Sequence, residues 1–473
     1  LMLAVTSCKD DLLYTDGEPI PEGETTIIAQ VDFRPLVEGL AGKSRTAGDA
    51  IKSIQDLCVL LYDTEGNFVE GHSLESISNA NPTDGQFYVN EVTRKDGDAP
   101  DGGTIAETKT PQANLKLTIP YGRYYIYAVA NMGEDFKKAV QAHGKENGAA
   151  EEVAKYKTAI ATKEGLKSIS LTWDVADVAK NSQMFGHFTI VGQENNSELI
   201  TINKKGMKLH SWIRRAASKV TIAYDGSKLE EGVFIYLKSV TIKDIPQNCC
   251  LGQDNPAVPE NYQPKDRDEG VKLDLIKNGE TIKYYEGDTE PTISDFKETY
   301  EARITKGKPL FGSKEQGENA YHPKKLADVH TEITNALYFY ENMQGKGKEG
   351  TPSDKRQVVA NTLNKTEPTY PNGGQENNEA WKDAKPYGTY IEVDAFYVSI
   401  NDKKVGRGPI KYRFMLGKDV ITDYNAERNH HYKLTLKFKG YANDADWHIE
   451  YEEPEPGIEV PNPVSYTHLT LPT

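Results

Sequence analysis

Few residues of this chain have the types and spacing that chemistry needs. Gly345-Lys346-Gly347-Lys348-Glu349-Gly350 satisfies GxGxxG, which in a dinucleotide site is a strand-to-helix turn whose first helical amides meet a pyrophosphate. Here Thr351-Pro352-Ser353-Asp354-Lys355-Arg356 follows without an apolar helical face, so the segment reads as a flexible basic loop. His430 and His431 are adjacent and on a strand would face opposite ways, which prevents them sharing a metal. His322, His330 and His448 lack a partner at ligand spacing. Cys249-Cys250 read as two thiols in a loop, because a disulfide between neighbours is strained. Cys58, inside Leu57–Tyr62, reads as a small core hydrophobe. Acid pairs such as Glu452-Glu453 are the solvated face expected of an acidic chain. HExxH, GxSxG, the phosphate-binding GxxxxGK motif and the EF-hand loop do not occur. The reading is no enzyme, with no catalytic residue, no metal and no cofactor.

The elements that would position any site come next. The chain has 473 residues, with 56 basic and 71 acidic side chains and a net charge of −15. That excess of acid argues against nucleic acid or an anionic membrane surface as the main partner. The length predicts about three domains at roughly 150 residues each, or two if they are large all-β domains. Four cysteines cannot make a disulfide framework, and 27 tyrosines with 39 glycines favour strands and turns.

The dominant period is two. Ile27-Ala29-Val31-Phe33, Leu115-Leu117-Ile119 and Leu434-Leu436-Phe438 each alternate with polar neighbours, as strands with one face on a core do. Leu57–Tyr62 and Tyr124–Ala130 are apolar on both faces and predict central strands. Turns are expected at Asp63–Asn67, Pro120-Tyr121-Gly122, Asp225-Gly226 and Asn372-Gly373-Gly374. Asp135 to Glu164 is helical, split in two by Gly144 to Gly148, and reads as a cover over a sandwich end rather than a recognition helix. A boundary is expected in the polar stretch 192–206, and the segments 252–330 and 344–388 read as surface loops.

Both ends are atypical. Val5-Thr6-Ser7-Cys8, behind a short apolar stretch, resembles a bacterial lipobox, which makes Cys8 a lipidation site. Lys9-Asp10-Asp11 resembles the surface-export signal of Bacteroidetes lipoproteins. One acyl chain anchors reversibly, so stable attachment needs several. At the other end, 452–463 is an extended proline-rich connector, and 464–473 reads as a non-native tail after which the natural protein is expected to continue.

Five blocks together resemble the fimbrillin family, the type V pilus subunits of Bacteroidetes. They are Pro120-Tyr121-Gly122 leading into Tyr124–Asn131, then Leu337–Gly345, Tyr390–Val393, Tyr412–Gly417 and Arg428–Tyr432. The resemblance implies an all-β fold: two tandem transthyretin-like Greek-key β-sandwich domains, with a short helical insertion in the first. The boundaries expected are 1–8 signal remnant, 9–24 linker, 25–200 first sandwich and 206–451 second sandwich with long loops. It also implies assembly in which an arginine-directed protease removes the first strand and a neighbouring subunit's strand fills the gap. Arg45-Thr46, in Lys43-Ser44-Arg45-Thr46-Ala47-Gly48, is the expected cut; an uncut loop, or use of Arg34 or Lys43, is the alternative. Long loops and the connector fit a tip or accessory subunit, lipid-anchored in the outer membrane, whose partners are other pilus subunits and a surface ligand. The alternative function is a glycan-binding surface lipoprotein of a polysaccharide-uptake system. Trp381 is its candidate platform, the plainer reading being a loop-packing anchor.

Overall fold

The computed structural model describes residues 14–15, 18–33, 56–70, 72–76, 88–89, 94–95, 110–141, 151–174, 182–193, 197–230, 233–261, 270–283, 310–312, 336–350, 355, 360–362, 387–401, 404–440 and 444–452. The fold is all-β with a helical insertion.

Alternation sets the first strand. β1 (Glu24–Phe33) buries Thr25, Ile27, Ala29 and Val31 while Thr26 and Ile28 face out. β2 (Leu57–Tyr62) is buried on both faces, as its unbroken apolar run requires. β3 (Ser73–Ser76), β4 (Thr110–Pro120) and β5 (Gly122–Ala130) follow. After the helices come β6 (Ser170–Thr172), β7 (Met184–Ile190), β8 (Leu199–Ile202) and β9 (Lys208–Arg215). The large first sheet runs β3-β4-β1-β9-β7-β5-β2, with β8 also paired to β5. Its pairings along that path are antiparallel except β1 with β9, which is parallel. β9, which follows the polar stretch 192–206, is thus built into the first sheet between β1 and β7.

The helical stretch forms α1 (Glu134–Gln141), α2 (Glu151–Ile160) and a short α3 (Lys163–Lys167) that Thr162 caps by accepting from the Gly165 amide at 3.1 Å. Phe136, Ala139, Val140, Val153 and Ile160 turn into the first core. Lys163 lies over the Tyr125 ring at 3.9 Å and Lys167 over Tyr127 at 5.1 Å, which fastens the helices to β5. The Asp56 carboxylate accepts from the amides of Met132 and Gly133, both at 2.9 Å, just before α1. Asp56→Ala strands both donors and is expected to cost about 1–2 kcal/mol in urea unfolding, with Asp56→Asn costing less because one acceptor oxygen survives.

The second half begins with β10 (Ala217–Leu229) and β11 (Val233–Lys243), then β12 (Asn248–Cys250), β13 (Ala336–Tyr340) and β14 (Asn342–Lys346). β15 (Tyr390–Asn401), β16 (Lys404–Met415), β17 (Asp423–Ala426), β18 (His431–Gly440) and β19 (Asp444–Glu452) complete it. One sheet runs β13-β10-β18-β19 and faces another containing β11-β15-β16 across a shared core. Here too the first strand is parallel to a late one, β10 to β18. Asp225-Gly226 is no turn: β10 runs through it, and the register with β18 shifts between Asp225 and Lys228 as at a bulge. The chain leaves β16 through Gly417 at φ 151°, where any side chain would collide with the Asp423 carbonyl.

On β15, Glu392 is buried and accepts from Lys243 Nζ at 2.8 Å, Arg413 Nε at 2.9 Å and Lys411 Nζ at 3.0 Å. Burial alone would raise its pKa, but the hydrogen bonds from Lys243, Arg413 and Lys411 outweigh that and hold it at about 2. A carboxyl depressed in the fold contributes stability above the free glutamate value of about 4.3, lost as pH falls towards 2. Chemical denaturation from pH 6 down to pH 2 should therefore show a smaller acid loss for Glu392→Gln than for the parent chain.

Candidate strand-exchange site

β1 lies in a slot whose walls its own side chains define. Register places Thr25 opposite Ile119 and Ile27 opposite Leu117 of β4. Ala29 sits between Leu115 of β4 and Leu209 of β9, and Val31 between Ala113 and Ser211. Small meets large at two of these positions, Ala29 against two leucines and Val31 against alanine and serine, whereas Ile27 meets Leu117. On the outer face Thr26 Oγ1 and Thr118 Oγ1 are 3.2 Å apart, and the Ile28 amide donates to the Met207 carbonyl at 3.1 Å. Ile28, at 42% exposure, is the large hydrophobe most open to water among the described residues. Taking β1 away would unpair two inner edges and open the apolar wall formed by Leu115, Leu117, Ile119 and Leu209. What the arrangement can do is hold an extended peptide by main-chain hydrogen bonds and alternate side chains.

A buried polar network joins the end of β9 to the second core. β13 alternates between two cores, with Leu337 and Phe339 in the second cluster and Tyr338 and Tyr340 in the first. The Tyr340 hydroxyl donates to the Thr172 carbonyl at 3.5 Å. Directly after β13, the buried Glu341 carboxylate meets Arg428 Nη2 at 2.5 Å and accepts from the Asn255 amide at 2.5 Å. Arg428 also donates to the carbonyls of Cys250 at 3.0 Å, Leu251 at 3.3 Å and Gln253 at 2.7 Å, just after β12, which pairs with β6. Asn429, at φ 56°, accepts from the Arg215 amide at 3.1 Å and from its guanidinium at 3.2 Å. Ser218 Oγ donates to the Glu427 carbonyl at 2.6 Å and accepts from the His430 amide at 2.9 Å. This network binds the end of β9 and the start of β10 to the turn before β18.

The model of a family described as a domain of unknown function (DUF4906) matches residues 337–436, which run from β13 into β18 and include Glu341, Arg428 and Asn429. No curated protein matches. Among solved structures, a candidate cell adhesion protein of Parabacteroides distasonis is 10% identical at a TM-score of 0.42, over 92% of this chain and 98% of that one. The tip fimbrial protein Mfa3 of Porphyromonas gingivalis is 9% identical at 0.36, over 90% and 99% of the two chains. A fimbrilin of Porphyromonas gingivalis is 11% identical at 0.36, over 90% and 97%. These neighbours of the chain are described as fimbrial and cell-adhesion proteins.

Cys8, Arg45, Thr46 and Trp381, the residues singled out from the sequence, lie outside the described residues, as do His322 and His330. Cys249 and Cys250 are free thiols, on the short strand β12 rather than in a loop. Burial pushes the Cys249 thiol up to about 12, which makes it a poor nucleophile. His430 Nδ1 lies 2.6 Å from the Arg428 carbonyl and Nε2 lies 3.4 Å from Glu427, so it is a junction residue. The Gly345–Gly350 segment is no phosphate turn: it begins as the end of β14, paired antiparallel with β17. Nor is Lys355 an exposed loop residue. It is fully buried, and its Nζ donates to the carbonyls of Asp419 and, at 2.7 Å, Asp423. Burial lowers its pKa to about 7 against the opposing pull of Asp419 and Asp423. Glu341, in the block Leu337–Gly345, is the buried partner of Arg428. Among the described residues no group of three His, Cys, Asp or Glu could hold a metal, and no helix is long and apolar enough to cross a membrane.

Proposed function

We propose that this chain is a structural and adhesive surface protein, a tip or accessory subunit of a type V pilus that assembles by replacement of β1. The observation that carries the reading is the slot. β1 buries one face only, lies between β4, which also pairs with β3, and β9, which also pairs with β7, and is followed by Lys43-Ser44-Arg45-Thr46 before β2. In this account Arg45 is the cut, Cys8 carries the lipid that holds the chain to the outer membrane, and the strand that enters belongs to another subunit.

Treatment with an arginine-specific protease, followed by terminal sequencing and size analysis, tests it. The expected outcome is loss of an N-terminal piece ending at Arg45 and oligomers that appear only afterwards. A treated chain that keeps β1 and stays monomeric with its partner subunits present would overturn the proposal.

A further inference from the structure

We infer that the slot is tuned for a strand other than β1: one with a branched apolar residue where Thr25 now sits, a small residue at Ala29 and a hydroxyl at Val31. This rests on the strand-replacement reading and adds to it the side-chain pattern of the incoming partner.

Two buried hydroxyls carry the argument. Thr25, 5% exposed, faces Ile119 of β4, and its Oγ1 has no hydrogen-bond partner. Ser211, fully buried in the wall formed by β9, is the register partner of Val31, and its Oγ, which lies towards Gly186 of β7 and would turn about χ1 to meet a hydroxyl on the occupant, is also unpartnered. β1 therefore presents a hydroxyl where the wall is apolar, and a hydrocarbon where the wall presents a hydroxyl. Each mismatch forfeits a hydrogen bond that water would have supplied. Exchanging the two types removes both: valine or isoleucine against Ile119, and threonine or serine against Ser211, where neighbouring hydroxyls on one face can bond each other. The middle of the slot is matched already, because Ala29 is fully buried between Leu115 and Leu209, two large neighbours that suit a small residue. The direction is fixed as well, since the occupant runs parallel to β9 and antiparallel to β4. The partner is thus an extended segment of another polypeptide with the alternate residues valine or isoleucine, isoleucine, alanine or glycine, and threonine or serine. β1 occupies its place as a weaker plug, which favours exchange once the chain behind it is cut.

The test uses the full chain with a specific protease site inserted between residues 40 and 50, cut after folding. A labelled peptide copying residues 24–33 reports occupancy of the slot, and unlabelled peptides compete with it. The copy carrying T25V and the copy carrying V31T should each compete about five- to tenfold better than the unaltered copy, and the double about 25- to 100-fold better. A29L should compete at least tenfold worse. In a chain carrying S211A, the advantage of V31T should disappear while that of T25V remains. Peptides with T25V and V31T that compete no better than the copy would overturn the inference, as would a V31T advantage that survives S211A. A labelled copy that never enters the cut chain would instead overturn strand replacement itself.

Discussion

Replacing Arg428 by methionine should destabilise the chain by about 3–5 kcal/mol, among the largest effects of any single change. The guanidinium is 94% buried and donates to three main-chain carbonyls and to Glu341. Removing it leaves a carboxylate that is only 3% exposed with no opposite charge, and leaves the carbonyls of Cys250, Leu251 and Gln253 each short of a donor. The penalty comes from the buried group left behind, so R428M combined with E341M should recover a substantial part of the loss, and E341Q alone should cost less than R428M. Guanidinium unfolding of the four proteins checks this. Additive losses in the double variant would mean that the two residues do not form one unit.

The second large effect is expected at Ile27, on β1. Ile27→Asp puts a carboxylate at a fully buried position opposite Leu117, within an apolar core cluster. Losing the isoleucine and burying an ionised group together cost about 4 kcal/mol or more, comparable with the whole stability of a typical domain. β1 can avoid that cost by leaving the slot, because it enters the sheet as a separate strand with 23 residues, 34–56, before β2. The I27D chain should consequently be much less stable and bind a free peptide copying residues 24–33, which the parent chain does not. Calorimetric melting with and without the peptide distinguishes the cases: stability restored by the peptide marks a slot emptied by the substitution, whereas no change marks general unfolding.

Much of this was legible in the sequence, for reasons that particular residues make plain. The alternation of Ile27, Ala29 and Val31 and the unbroken apolar run Leu57–Tyr62 each report local burial, and both became strands of the expected kind. The helical stretch declared itself by composition, and α1 and α2 lie within it. Pairing partners were not legible. Nothing local in Leu209–Ile213 says that β9 joins β1 in parallel, because that choice depends on residues some 180 positions away in the chain. Asp225-Gly226 has the composition of a turn, yet continued pairing with β18 on both sides keeps it inside a strand. Lys355 looked like a solvated basic residue, and only the fold shows carbonyls converging on its ammonium. Arg428 and Glu341 are 87 residues apart, so their ion pair has no signature in spacing. Ser211 and Thr25 carry the site proposed above, and each is an ordinary strand hydroxyl until register shows what it faces.

A covalent lock on β1 tests strand replacement most directly. Thr26 and Thr118 are register partners on the outer face with hydroxyls 3.2 Å apart, close enough for cysteines there to form a disulfide. The chain carrying T26C and T118C is oxidised, cut between residues 40 and 50 and mixed with its partner subunits, and assembly is followed by light scattering before and after a reductant is added. The account predicts no assembly while the disulfide is intact and growth once it is reduced. Equal assembly in both states would show that β1 never has to leave its slot.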